Sequence, residues 1–169
     1  VLRQDGAERL LVWGAEHLTM HDAAGGAMLW SCGGFNAGGD KNWPVVASPV
    51  VAGGMAMVSF GRSDRRQPQF HGIRMGGKGD VTATHRAWKR DDTGSFVPTP
   101  AVAGGRVYLV QDLGQLDCID PADGRIVWSG EFPGSKDKFY SSPVVAGGVL
   151  YAAREDGMVF VVNVEDGFK

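Results

Sequence analysis

The sequence predicts an all-β protein made of consecutive four-stranded antiparallel blades, and two observations carry that prediction. The first is a repeated hairpin: SPVVAGGMAMVSFG begins at Ser48, TPAVAGGRVYLVQDLG at Thr99 and SPVVAGGVLYAAREDG at Ser142. The second is short-range alternation. From residue 99 to 128, Val102, Val107, Leu109, Leu116, Ile119, Ile126 and Trp128 supply apolar positions with local period two, the pattern of half-buried strands. Ala103-Gly104-Gly105 is a tight hairpin turn, because glycine takes positive φ where other residues strain. Asp120-Pro121-Ala122-Asp123-Gly124 is a second turn, in which Pro121 presets φ and Gly124 closes left-handed. Self-similarity with a period in the forties and four strands per unit marks a β-propeller rather than a sandwich.

Taken in order, blade one occupies about residues 1–35. Its first strand falls in 1–5 without the Ser-Pro start, and 9–13, 18–22 and 27–30 follow as the second, third and fourth. A glycine-rich connector leads to blade two, about 45–92, with strands beginning at Ser48 and at 55–60, a long link over 61–70, and strands over 70–75 and 84–89. The turn before that last strand, GGKGDVTA, departs from the Asp–Gly form. Blade three, about 98–133, is the master copy. Blade four, about 141–169, pairs 149–153 with 158–164 and reaches Glu165-Asp166-Gly167 before any tryptophan strand. The expectation is therefore about four blades, half of a seven- or eight-bladed ring, in a fragment of a larger propeller cut at both ends. Two such halves could join head-to-tail as a homodimer completing an eight-blade ring.

Asp-x-x-x-Gly-x-x-x-Trp occurs as Asp22-Gly26-Trp30 and as Asp120-Gly124-Trp128, with Trp88 at the equivalent place in blade two. This resembles the tryptophan-docking motif of pyrroloquinoline-quinone (PQQ)-like β-propeller repeats, and the Ser/Thr-Pro-x-Val-x-Gly-Gly hairpins fit the same repeat. The family includes quinoprotein alcohol dehydrogenases, the propeller lipoprotein of the outer-membrane β-barrel assembly machinery, and many exported proteins. The resemblance implies a periplasmic or otherwise exported protein. It also implies that the three tryptophans are structural plates packed across blade boundaries.

Composition narrows the function. The chain has 169 residues, net charge −2 and 43% hydrophobic residues, with a sequence pI near 6.1. That balance removes the electrostatic case for nucleic acid. No apolar run reaches transmembrane length and no signal peptide is present. Cys32 and Cys118 stand on different blades, so neither a thiolate metal pair nor a mutual disulfide is expected. His17, His21, His71 and His85 lack zinc-ligand spacing, and no Gly-x-Ser-x-Gly elbow appears. A quinone dehydrogenase of the resembled family would carry a quinone beside Ca²⁺, an aspartate base and an adjacent cysteine pair. There is no Cys-Cys here, and the aspartates sit in turns that the repeat already explains.

In an up-and-down blade, the loop between the second and third strands and the connector to the next blade emerge on one face. The long segments all belong to that face. It carries Lys41, Trp43, Arg62, Arg65, Arg66, Tyr140 and Arg154, a mixture of arginine and aromatic residues typical of interaction surfaces. The expected function is a non-catalytic scaffold that binds a protein partner or an extended ligand there, without cofactor or metal. The alternative is part of a PQQ-dependent quinoprotein dehydrogenase.

Overall fold

The computed structural model describes residues 1–14, 16–36, 38–39, 45–61 and 67–169. Four sheets follow one another along the chain. Blade one holds β1 (Leu2–Gln4), β2 (Ala7–Trp13), β3 (Leu18–Asp22) and β4 (Met28–Cys32). Blade two holds β5 (Val50–Ala52), β6 (Met55–Phe60) and β7 (Gln69–Arg74). It then runs through β8 (Gly79–Asp80) and α1 (Thr82–His85) to β9 (Arg86–Arg90). Blade three is β10 (Ala101–Ala103), β11 (Arg106–Val110), β12 (Gln115–Ile119) and β13 (Ile126–Glu131). Blade four is β14 (Val144–Ala146), β15 (Val149–Ala153) and β16 (Val159–Asn163). Within each blade successive strands pair antiparallel, which makes the chain the all-β, propeller-type structure expected.

The first hairpin of each blade uses one turn. Gly104 and Gly105 both have positive φ, at 56° and 72°, the requirement of a two-residue primed turn. Blade one makes the same turn from Asp5 (φ 51°) and Gly6 (φ 76°), since aspartate tolerates the left-handed region better than most residues. That is how β1 forms without the repeated glycine pair. The Asp–Gly turns are also built alike. Gly124 N–H donates to Asp120 O at 2.9 Å, and Gly26 N–H donates to Asp22 O at 2.8 Å. The Ala122 N–H and the Arg106 guanidinium hold the Asp120 carboxyl below the usual carboxylate range. The matching pair in blade one is Arg9 with Asp22, at 2.6 Å.

Blade two departs from the expected order. Its fourth strand begins at Arg86, not at 84, because 82–85 form a single helical turn. The glycine-rich segment before it is no hairpin. It crosses to the outside of blade one, where Gly79 and Asp80 pair in parallel with Trp30 and Ser31. Val81 N–H donates to Ser31 O (2.8 Å), and Gly33 N–H donates to Thr82 Oγ1 (2.7 Å). Blade one thus gains a fifth, parallel strand in an otherwise antiparallel array, and its outer edge is covered.

The core is divided among the blade junctions. Val107, Leu109 and Ile119 of blade three meet Met55, Met57 and Phe70 of blade two. The alternate residues Tyr108, Val110, Leu116 and Cys118 meet Leu150, Ala152, Val162 and Val164 of blade four. Leu18, Met20 and Trp30 of blade one meet Ala56, Val58, Phe60 and Ile73 of blade two. Cys32 and Cys118 are free and buried in separate junctions, and burial raises both thiol pKa values.

Candidate functional site: the loop face and the blade junctions behind it

Asp112, in the loop between β11 and β12, draws two connectors together. Its Oδ1 accepts the Phe96 N–H (3.0 Å) from the link between blades two and three. Its backbone carbonyl accepts the Phe139 N–H (3.1 Å) from the link between blades three and four. Further round, Glu155 N–H donates to Lys138 O, and Lys138 N–H donates to the Glu155 carboxylate. The loops of blades three and four and the connectors beside them therefore share one face and are braced against each other.

Beneath them Asp117 on β12 is fully buried and accepts four hydrogen bonds. Thr93 Oγ1 (2.6 Å) and Gln111 Nε2 (3.1 Å) reach one oxygen; Gln115 Nε2 (2.8 Å) and Ser129 Oγ (2.6 Å) reach the other. Ser95 and Ser59 form a second buried polar contact, with Ser95 N–H donating to Ser59 Oγ. Asp117 and Ser59 each break an apolar strand, which is the signal by which sequence reasoning could have found these anchors.

At the junction of blades one and two, His71 is buried among Phe35 and Phe60, both 5.2 Å away, and Trp13 packs on Phe35 at 4.7 Å. The Arg86 guanidinium lies 4.6 Å from the centre of the Phe35 ring and donates to Gly33 O. Burial, with the Arg86 and Lys89 charges, lowers the His71 pKa to about 3. The ring is therefore neutral at physiological pH, with Nε2 3.0 Å from Gln69 Oε1.

The predicted binding residues fare differently. Lys41, Trp43, Arg62, Arg65 and Arg66 lie outside the described residues. Tyr140 is exposed on the connector to blade four. Arg154 belongs to that face, but its side chain is only 9% exposed and is held by the fold. It donates to Asp156 and to Pro133 O (2.7 Å), and stacks 4.9 Å from the Phe160 ring centre. It braces the connector.

The tryptophans differ too. Trp88, half-buried, lies between two glycines: a Cβ on Gly72 would fall 2.1 Å from its ring, and one on Gly124 2.6 Å. Its Nε1 donates to Pro121 O at 3.0 Å. The turn under Trp88 thus belongs to the next blade, so the irregular turn of blade two does not disturb the contact. Trp30 is buried against blade two, while Trp128 is half-buried, 6.0 Å from Tyr108 in its own blade. Sequence reasoning also missed the role of the Ser/Thr before each proline. Ser48 N–H donates to Thr99 Oγ1 (2.9 Å) and Thr99 N–H to Ser142 Oγ (3.0 Å), a ladder that ties blade to blade.

Among the described residues no three His, Cys, Asp or Glu side chains are grouped to hold a metal ion, and no helix is long and apolar enough to cross a membrane.

A family model described as outer membrane protein assembly factor BamB matches residues 14–169. The fold is similar to that of BamB from Moraxella catarrhalis, with TM-score 0.67 and 16% identity, covering 96% of this chain and 48% of that one. The quinohemoprotein alcohol dehydrogenase of Comamonas testosteroni gives TM-score 0.57 and 21% identity, over 75% of this chain and 20% of that one. The computationally designed Ika4 protein gives TM-score 0.59 and 12% identity, over 88% and 80%. No curated protein sequence matches. The chain spans about half the length of the BamB structure it resembles. With the repeat motif, the blade architecture and the match over residues 14–169 in agreement, the chain belongs to the PQQ-like propeller family described as outer membrane protein assembly factor BamB.

Proposed function

We propose that this chain is a non-catalytic propeller scaffold in an exported, envelope-associated bacterial protein. On this reading its braced loop face binds a protein partner or an extended ligand, in the manner of an outer-membrane-protein assembly factor. The observation that carries the reading is how the face is built: Asp112, Lys138 and Glu155 fix loops from successive blades while Tyr140 stays exposed among them. A rigid base under variable loops is how recognition surfaces are commonly built. The family match supports the assembly role.

The quinohemoprotein likeness favours one second reading, a piece of a quinone-dependent dehydrogenase. Three of this chain's carboxylates count against that reading. Asp22, Asp117 and Asp120 are each engaged by arginine, hydroxyl or backbone donors, and Ca²⁺ would need such oxygens free. Photo-crosslinking in an envelope extract tests the proposal, with the probe placed at Tyr140 or Leu113 on the loop face and at Ala24 or Ala122 on the opposite one. Adducts to protein from the loop face alone are expected. Equal labelling from both faces, or Ca²⁺-dependent dye reduction with added quinone, would overturn it.

A further inference from the structure

Trp30 and Trp88 hold the same register place in successive blades, opposite Met20 on β3 and Gly72 on β7. What lies beneath them differs. Under Trp88 the space is filled by the turn 120–124 of blade three. Its Pro121 carbonyl accepts the indole N–H at 3.0 Å, and the Pro121 ring reaches the hairpin turn of blade two, 3.7 Å from a Cβ placed on Gly53. Blade two has no such turn to offer Trp30. Its chain leaves β7 through Gly76 and Gly77, at φ of 112° and 84°, and runs outward as the strap to β8. In the place the turn would take lies a cavity of about 460 Å³ between blades one and two, lined by Trp30, by Gly76 and Gly77, and by the hairpin residue Asp5.

Its walls carry the chemistry of a binding site. Met20 and Trp30 are the buried floor, and Met28, 58% exposed, stands at the rim. Arg9 and Lys78 bring positive charge. Arg9 gives Nη1 to Asp22 at 2.6 Å, whereas Lys78 has no carboxylate partner among the described residues. Nor does any described residue accept the Trp30 indole N–H, as Pro121 accepts that of Trp88. Asp5, the acidic residue of the lining, selects against a second negative charge on a ligand. N–H donors over an apolar floor, in a volume typical of small-molecule sites, suit a compact monoanion with a carbonyl. We propose that this cavity binds a small N-acylated amino acid. The acyl carbonyl accepts the Trp30 indole N–H, the carboxylate meets the Lys78 ammonium, and a compact apolar ring or side chain rests on Met20 and Met28. That is the chemistry of the turn one blade on, where a carbonyl and a proline ring meet the tryptophan and the Asp120 carboxylate takes an arginine. The site lies at the turn end of the strands, opposite the loop face, and goes beyond the scaffold reading.

Titration of the chain with N-acetyl-L-proline, followed by calorimetry and by the indole N–H resonances, tests this. Saturable binding with a dissociation constant of about 1 mM is expected for so small a ligand. One indole resonance should move, the one that Trp30→Phe removes. N-acetyl-L-proline amide lacks the carboxylate and should bind about tenfold more weakly, and so should N-acetyl-L-proline to Lys78→Gln. Lys78 is exposed, so that variant should keep the wild-type circular dichroism. Met28→Phe, which narrows the rim, should weaken binding as well. The absence of saturable binding overturns the proposal, as does equal affinity for acid and amide or an unchanged affinity in Lys78→Gln. Movement of a different indole resonance places the ligand elsewhere and overturns it too. Crosslinking from the loop face reads the scaffold function separately, so the two can fail independently.

Discussion

Gly124→Ala probes the joint that holds blade two to blade three. The residue has φ of 73°, so an added Cβ meets left-handed strain of about 1 kcal/mol. The same Cβ would stand 2.6 Å from the Trp88 ring, a distance no real contact tolerates, so the indole must lift. Lifting it breaks the hydrogen bond to Pro121 O, worth about 1 kcal/mol, and forfeits packing of a half-buried ring, worth roughly 1 kcal/mol more. The expected cost is about 3 kcal/mol. Gly104→Ala is the control, with φ of 56° and nothing within 4 Å, and should cost only the strain of about 1 kcal/mol. A double-mutant cycle with Trp88→Ala isolates the contact: in that background Gly124→Ala should fall to about 1 kcal/mol, leaving about 2 kcal/mol of coupling. Urea unfolding followed by far-ultraviolet circular dichroism, at one protein concentration, gives all four corners. Additive costs would refute the docking of Trp88 on the next blade's turn.

The remaining predictions use the same unfolding assay. His71 has a folded pKa of about 3, below its unfolded value near 6.5, so the unfolded state binds more protons between those limits. Its contribution is complete above pH 6.5 and is lost as pH falls toward 3. Stability should therefore drop by about 2 kcal/mol from pH 7.5 to pH 5, and His71→Phe should flatten that slope. Asp117→Leu strands the buried Thr93 and Gln111 donors and should cost about 3 kcal/mol, whereas a change within about 0.5 kcal/mol would show the network idle. Thr99→Val removes the hydroxyl that accepts Ser48 N–H and should cost about 1 kcal/mol, with Thr99→Ser near neutral.

What the sequence made legible was local. Period-two runs and glycine pairs were enough to find β3, β6 and β15 with their bounds, because strand alternation and primed turns are decided by neighbouring residues. The strap through β8 and α1 was not legible, since its pairing with Trp30 and Ser31 joins segments far apart in the chain. The same limit hid which turn each tryptophan meets: the motif places Gly124 and Trp128 together in sequence, yet the ring over Gly124 comes from blade two. On the loop face Arg154 was legible as a charge but not as a brace, because the connector it holds through Pro133 is separated from it by the first strands of blade four.

The end blades carry the same lesson one step further. In the interior, β6 is buried along its whole length and β11 from Val107 onward, so apolar residues on both faces of a strand are what two neighbours require. A surface strand with one neighbour is normally written with polar residues on its free side. β2 has a packed blade on one face only, and its burial alternates strictly, yet its free face carries Leu10 and Val12 beside Glu8. β16 likewise keeps Val159 and Val161 on its free side. The sequence is written as though both ends were interior. Residues of that kind are what an adjoining blade of the same repeat covers at each internal junction, where Val107 and Leu109 meet Met55 and Met57.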